Sequence, residues 1–512
     1  MNFSNSTTDN TERLKDTKSL AFQWDSIDWL QVEKDVNRLQ TRIAKATVMG
    51  NMNKVKRLQY LLTHSFYAKA YSVRKVTTNK GKNTSGVDKK LWSTSASKMK
   101  ATLSLTDKRY KTKPLRRVYI EKKGKNKKRP LGIPTMYDRA MQTLYALALE
   151  PVAESTGDNI SFGFRKGRSA KDACEQIFSV LARKCSPTWI LEGDIKGCFD
   201  NINHNWLQEN IPMDKRIMKQ FLESGFVYKG TLFPTEKGSP QGGAISSLYA
   251  NMTLDGLEKL IQDKYHRNSK GNIENHYRAK TKVNLVRYAD DFVITANTKE
   301  IAEELQVLVG EFIQKRGLTL SEEKTMITHI DDGFDFLGWT FRKFKGKLII
   351  KPSKTSINTL IRKCSTIILK EGKAVTQSQL IIRLNQVIRG WSNYHRHVVA
   401  SQAFSSINNT LYLLLKQWAK HRHPNKSSWW RLNKYWHEKG MKRWLFMTDD
   451  YSLINMKRIK IIRHPNLQIS KNPFLDEKYF TKRRMILKSL NAALKGEEML
   501  EPYERETLTY GS

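Results

Sequence analysis

Val283-Asn284-Leu285-Val286-Arg287-Tyr288-Ala289-Asp290-Asp291-Phe292-Val293-Ile294-Thr295-Ala296 is a pair of β-prone runs meeting at two acids. The pattern predicts a hairpin with carboxylates at its tip. Side chains alternate faces along a strand, so adjacent acids reach one site together only from a turn. A doubled carboxylate at a tight turn suits two Mg²⁺ ions carrying a nucleoside triphosphate. Taken alone, a solvated Asp-Asp turn would explain the dipeptide equally well.

An upstream element favours the chemical reading. Leu191-Glu192-Gly193-Asp194-Ile195-Lys196-Gly197-Cys198-Phe199-Asp200 follows the apolar Trp189-Ile190 and reads as a strand delivering Asp194 to its C-terminal end. There a third carboxylate can join Asp290 and Asp291. Two ions held by such oxygens clamp an attacking 3′-hydroxyl and a leaving pyrophosphate, so catalysis is mainly positioning and charge neutralisation.

Composition points to a polyanionic partner. The 512 residues suffice for roughly three domains. Against 49 Asp and Glu stand 90 Lys and Arg, a net charge of +41 that repels itself unless nucleic acid offsets it. No apolar run is long enough to span a membrane, and the mean hydropathy is −0.59, so no membrane partner is expected. Cys174, Cys185, Cys198 and Cys364 show no C-x-x-C spacing, which argues against a disulfide framework and a thiolate zinc site. The polar N-terminus carries no secretory or import pattern, so a bacterial cytoplasmic location is expected.

Helical spacing opens the chain. Val32, Val36, Leu39, Ile43 and Ala46 form one stripe, Gly50 interrupts it, and Val55, Leu58, Leu62 and Phe66 resume it as a helical hairpin. Residues 72–90 read as polar and irregular. Val118-Tyr119-Ile120 and the lysine-rich run Lys122 to Arg129 predict a β-hairpin with a cationic tip. From Trp189 to Gly338 strands and helices interleave, including a helix after Gly243 and one near Lys299–Arg316, so the fold class is α+β with an antiparallel sheet. Three helical stripes follow: Ile357 to Ile368, Leu380 to Tyr394, and Phe404 to Trp418, a small bundle. The remainder is basic and aromatic, turning hydrophilic after about Lys482.

On these residues the chain resembles a reverse transcriptase, and more narrowly a group II intron-encoded protein. The resemblance covers roughly Trp24 to Arg484 and implies a right-hand polymerase with fingers and palm, an α-helical thumb or maturase bundle, and a small basic C-terminal domain. The implied division is 1–71 N-terminal extension, 72–185 fingers, 186–350 palm, 351–424 thumb, 425–485 a DNA-binding-like region and 486–512 a tail. In the family the metal set falls on Asp194, Ile195, Asp290 and Asp291, holding two Mg²⁺. Phe199 matches the aromatic under the nucleotide sugar that excludes a 2′-hydroxyl. Gly238-Ser239-Pro240-Gln241-Gly242-Gly243 matches the template and nucleotide contact, with Gln241 and Gly242 central. Glycines there permit close backbone approach before a helix N-terminus. Lys122 and Arg129 match the fingers residues over the triphosphate, where guanidinium geometry suits phosphate; Glu121, where relatives often carry Pro, is a departure. Lys324, in Gly317-Leu318-Thr319-Leu320-Ser321-Glu322-Glu323-Lys324, is the implied general acid for pyrophosphate, although a surface lysine looks identical in sequence. Phe336-Leu337-Gly338-Trp339 matches the primer-grip turn, with an aromatic tip steadying the primer.

The thumb markers are Ile388-Arg389-Gly390-Trp391-Ser392-Asn393-Tyr394-His395 and Arg422-His423-Pro424-Asn425-Lys426, a region with which relatives grip intron RNA. Trp391 and Trp418 read as core. The pairs His395/His397 and His421/His423 lack cysteine or acidic neighbours and read as RNA-facing or helix-surface residues, not a zinc site. After His464 there is neither Cys nor His, so an HNH nuclease is not expected. The implied function is RNA-directed DNA synthesis for a mobile intron, with splicing support and retrohoming by target-primed reverse transcription. The partners are intron RNA, target DNA, primer and dNTPs in a ribonucleoprotein. The competing readings are a splicing factor with a vestigial polymerase and a domesticated reverse transcriptase in defence.

Overall fold

The computed structural model describes residues 16–121, 128–240, 242–267, 272, 280–439 and 442–492. The first strands, β1 (Leu115–Glu121) and β2 (Lys128–Ile133), pair antiparallel from Arg116 opposite Ile133 to Glu121 opposite Lys128. They are extended by β4 (Phe226–Tyr228) and β5 (Thr231–Phe233), in the order β2-β1-β4-β5. Between them in sequence lies β3 (Trp189–Asp194), which enters another sheet with β6 (Asn284–Tyr288), β7 (Asp291–Ala296) and β8 (Met326–His329). That sheet has the order β6-β7-β3-β8, antiparallel throughout.

The central sheet is buried on both faces, which explains its nearly continuous apolar runs. Leu191, Leu285, Phe292 and Ile294 face the core shared with the N-terminal helices. Ile190, Val286 and Val293, alternate in sequence, face the core shared with the thumb. A third sheet, β9 (Phe334–Phe336), β10 (Trp339–Phe344) and β11 (Lys347–Pro352), leads into the thumb helices Lys354–Ser365, Gln377–His395 and Ser401–Arg422. Their inward residues Leu360, Cys364, Leu384, Ile388, Phe404, Leu411 and Trp418 are the predicted stripes. Trp391 is only half-buried and donates its indole N–H to Ser356 Oγ at 3.0 Å.

The helical hairpin forms as Trp29–Val48 and Met52–His64, capped by the side chains of Asp28 and Asn51. Phe66 does not belong to it: it is 40% exposed and opens another helix, Phe66–Thr78. The expectation of irregular backbone over 72–90 is therefore corrected for 72–78. Ser72 and Thr77 donate to the carbonyls of Ala68 and Val73, so these polar residues are satisfied inside the helix.

The C-terminal stretch differs most from its sequence appearance. Past a hairpin of β12 (Trp436–Lys439) and β13 (Lys442–Phe446), it runs back across the molecule and ends in the helix Glu477–Ala492. His464 and Arg483 both donate to the buried carboxylate of Asp172. Asn472 donates to Ser155 Oγ at 3.1 Å, and Phe480 lies over Gly167 where a Cβ would be 2.7 Å from its ring. His464, Asn472 and Arg483 thus tie this stretch to the body of the protein. His395 and His397 are buried too, against the expectation of surface placement, and burial lowers both to about 3, leaving them neutral.

Candidate active site

β6 and β7 close through Ala289 and Asp290, since Tyr288 opposite Asp291 is the last strand pair. Ala289 takes a left-handed backbone (φ 57°), which its small side chain tolerates. Behind the turn lies Gly163: a Cβ there would press on the Ala289 amide and stand 3.0 Å from Tyr288 carbonyl carbon. Gly163→Ala should therefore push the hairpin tip outward and reduce catalysis by about 10²-fold, the effect of misplacing a reacting group by roughly an ångström. Single-turnover extension by the folded variant measures it.

Asp194 ends β3 directly opposite Asp291, so two of the three acids are cross-strand neighbours and Asp290 overhangs them from the turn. Burial raises Asp290, and the charge of Asp194 adds to this, while Lys324 and Arg129 oppose it. Burial likewise raises Asp291, to about 7, helped by its hydrogen bond to Asp194 and by repulsion from Asp290 and Asp194. The sheet thus holds the carboxylates together against their mutual repulsion.

Lys324 Nζ donates to Asp194 Oδ2 at 2.6 Å. Partial burial works against its charge, but the bond to Asp194 and the nearby acids hold its ammonium above the usual lysine range. The backbone beyond Asp194 is fixed by a bridge in which Lys196 N–H donates to Thr319 and Ser321 N–H to Asp194. Ile195 follows the end of β3 and is held in an isolated antiparallel bridge to Leu320. The Ile195 side chain is buried, leaving its backbone carbonyl as its only ligand atom.

Among the described residues no group of three or more His, Cys, Asp or Glu is drawn together tightly enough to hold a metal ion unaided. The donor set nevertheless fits hard divalent cations: crowded carboxylates that repel one another, and a cation on Asp194 in place of metal charge.

Phe199 lies in the short helix Cys198–Asn201, half-buried beside the acids. The glycine loop docks onto it: Ser239 N–H donates to Phe199 O at 2.6 Å, and a Cβ on Gly238 would meet Asp200 and Phe199 backbone at 2.6 Å. Gly242 (φ 110°) faces the carbonyl of Gly132 in β2, so the loop also abuts the β2-β1-β4-β5 sheet. Arg129, exposed on β2, is close enough for its charge to oppose the upward shift of Asp290. Lys122 and Gln241 lie outside the described residues.

The primer-grip expectation needs correcting at its aromatic. Phe336 is 7% exposed and belongs to the core, as does Trp339, stacked on Tyr394 at 4.5 Å. Strand alternation sends Phe334 and Phe336 inward together, so the turn presents Leu337 (φ 50°) and Gly338 (φ 84°) instead. Beside Gly338 a groove of about 780 Å³ runs between the turn and the thumb, lined by Ser356, Lys363, Trp391 and Tyr394.

Sequence reading missed the layer behind the acids. Arg287 is 1% exposed, ion-paired with Asp255, 3.9 Å from Asp158, and donates to Ala289 O at 3.5 Å. Asn251 donates to Gly163 O at 2.8 Å. These partners are remote in sequence and carry no local signature.

Residues 120–341 match the reverse transcriptase (RNA-dependent DNA polymerase) family, 24–105 the N-terminal domain of reverse transcriptase, and 357–436 the group II intron maturase-specific domain. The chain is similar to the group II intron-encoded protein LtrA of Lactococcus lactis subsp. cremoris, 33% identical over 359 residues. That match takes in 59% of this chain and 59% of LtrA, so the chain spans well under the full length of that relative. Protein YkfC of Escherichia coli K12 is 30% identical over 339 residues, covering 59% of this chain and 87% of YkfC. The order of matched domains, and the acids within the central one, show that this chain belongs to the group II intron-encoded reverse transcriptase and maturase family.

Proposed function

We propose that the protein is the RNA-directed DNA polymerase of a mobile group II intron, and that it also binds the intron RNA as a maturase. In this reading it promotes splicing and retrohoming by target-primed reverse transcription, within a cytoplasmic ribonucleoprotein. The observation that carries it is the meeting of Asp194, Asp290 and Asp291 at one sheet end. Among the described residues no helix is long and apolar enough to cross a membrane.

Asp194, Asp290, Asp291 and the Ile195 carbonyl would hold two Mg²⁺ ions, which when bound supply charge neutralisation at the attacking 3′-oxygen and the departing pyrophosphate. Arg129, with Lys122, would bind the triphosphate from the fingers. Phe199 would close the space beneath the sugar and exclude a 2′-hydroxyl. Gln241 and Gly242 would contact the nascent base pair, while the Leu337-Gly338 backbone, supported from within by Phe336, would border the primer. Lys324, held protonated, would move from Asp194 to donate a proton to pyrophosphate. The division proposed is N-terminal extension, fingers, palm and thumb in chain order, the +41 charge serving intron RNA and target DNA.

Purified protein should extend a DNA primer on an RNA template with dNTPs and Mg²⁺, stop on chelation, and resume on adding excess Mg²⁺. Intron RNA binding and splicing without any cDNA across a Mg²⁺ titration would instead establish the vestigial-polymerase reading.

A further inference from the structure

Phe164 combines features that packing alone does not explain. Its backbone is left-handed (φ 58°), a conformation unfavourable for a bulky side chain. Its ring is 53% exposed, so burial does not offset that cost. Strain of this kind persists only where the surroundings enforce it. The flanks supply the enforcement. Phe162 N–H donates to Arg287 O at 2.9 Å, extending the central sheet past β6. Gly163 is wedged behind Ala289 and accepts from Asn251 at 2.8 Å. Arg165 forms a buried ion pair with Glu154 at 2.8 Å. Pinned on both sides, residue 164 has one way to go, and its ring projects to the site.

There it meets Phe199. The ring centroids are 6.3 Å apart with planes at 81°, an edge-to-face arrangement. Phe199 sits on a four-residue helix behind a left-handed Gly197, a mounting that fixes its backbone better than its ring. An edge-on neighbour restricts which way that ring can tilt.

We propose that Phe164 is a positioning residue for sugar selection, holding the Phe199 ring at the height that excludes a ribonucleotide. The proposal rests on the reading of Phe199 as the sugar gate. It acts through the same segment that backs the Ala289-Asp290 turn, so gate height and hairpin position are set by one piece of backbone.

Phe164→Gly tests it, because glycine accepts the left-handed backbone without strain and removes only the ring. Its thermal unfolding midpoint should be no lower than that of the parent. Its ratio of kcat/KM for dNTP over rNTP should fall about 10-fold, chiefly through a lower rNTP KM, and Phe164→Tyr should restore it. Phe199→Val, run in parallel, should lower the ratio further. If Phe199→Val changes the ratio and Phe164→Gly does not, the positioning role is overturned while the gate survives. If neither variant changes it, the gate reading itself fails, and this role with it.

Discussion

Asp290→Asn should reduce nucleotide incorporation by at least about 10³-fold, on the order of 4 kcal/mol of barrier, while the protein stays folded and RNA-bound. Asparagine matches the shape of aspartate, so the two-residue turn over Gly163 can keep its path. What disappears is a charge that burial and Asp194 already disfavour, so folding stability should hold or rise slightly. Stability and catalysis thus move in opposite directions, as expected of a group retained for chemistry. Single-turnover incorporation, thermal unfolding and RNA binding measured on one preparation separate the effects. Wild-type incorporation by this variant would remove the polymerase assignment at its root.

The parts of this architecture visible in the sequence are those governed by local periodicity. Alternation around Asp290 revealed the hairpin, and helical spacing at Leu380, Leu384 and Ile388 revealed the thumb, because those apolar faces must be buried wherever their partners lie. Polar residues gave no comparable guide. His464 and Arg483 look like parts of a solvated basic tail, yet they converge on Asp172 from 292 and 311 residues away. His395 and His397 look like surface imidazoles but are buried at the C-terminal end of the second thumb helix. Phe336 stands in a turn motif, yet strand alternation buries it, and the segment around Phe164 carries no local signature because its partners lie at 251, 287 and 289. Where a polar side chain's partner is remote, sequence specifies the residue and only the fold specifies its use.

Arg287→Met is the sharper test of that hidden layer. The guanidinium, carried by β6 itself, is the counter-charge for Asp255 and lies near Asp158; Arg287 and Asp158 are buried and Asp255 is nearly so. Removing one partner of a buried pair costs about 3–5 kcal/mol, because the remaining charge is left without compensation. Burial raises Asp255 to about 6 even with Arg287 and Arg165 pulling it down, so without Arg287 it should rise further. An acid raised in the folded state contributes stability that is complete below the unfolded carboxylate range and is lost as pH rises through the folded value. The defect of Arg287→Met should therefore be smallest in acid and grow toward neutral pH, and Asp255→Asn in the same chain should recover much of it. Hydrogen exchange at the β6–β7 amides across pH reads the effect directly. Because Arg287 also donates to Ala289 O at 3.5 Å, incorporation should fall about 10²-fold through displacement of Asp290, even where the protein remains folded. A variant equally stable at every pH would show that the hairpin is held by apolar packing alone.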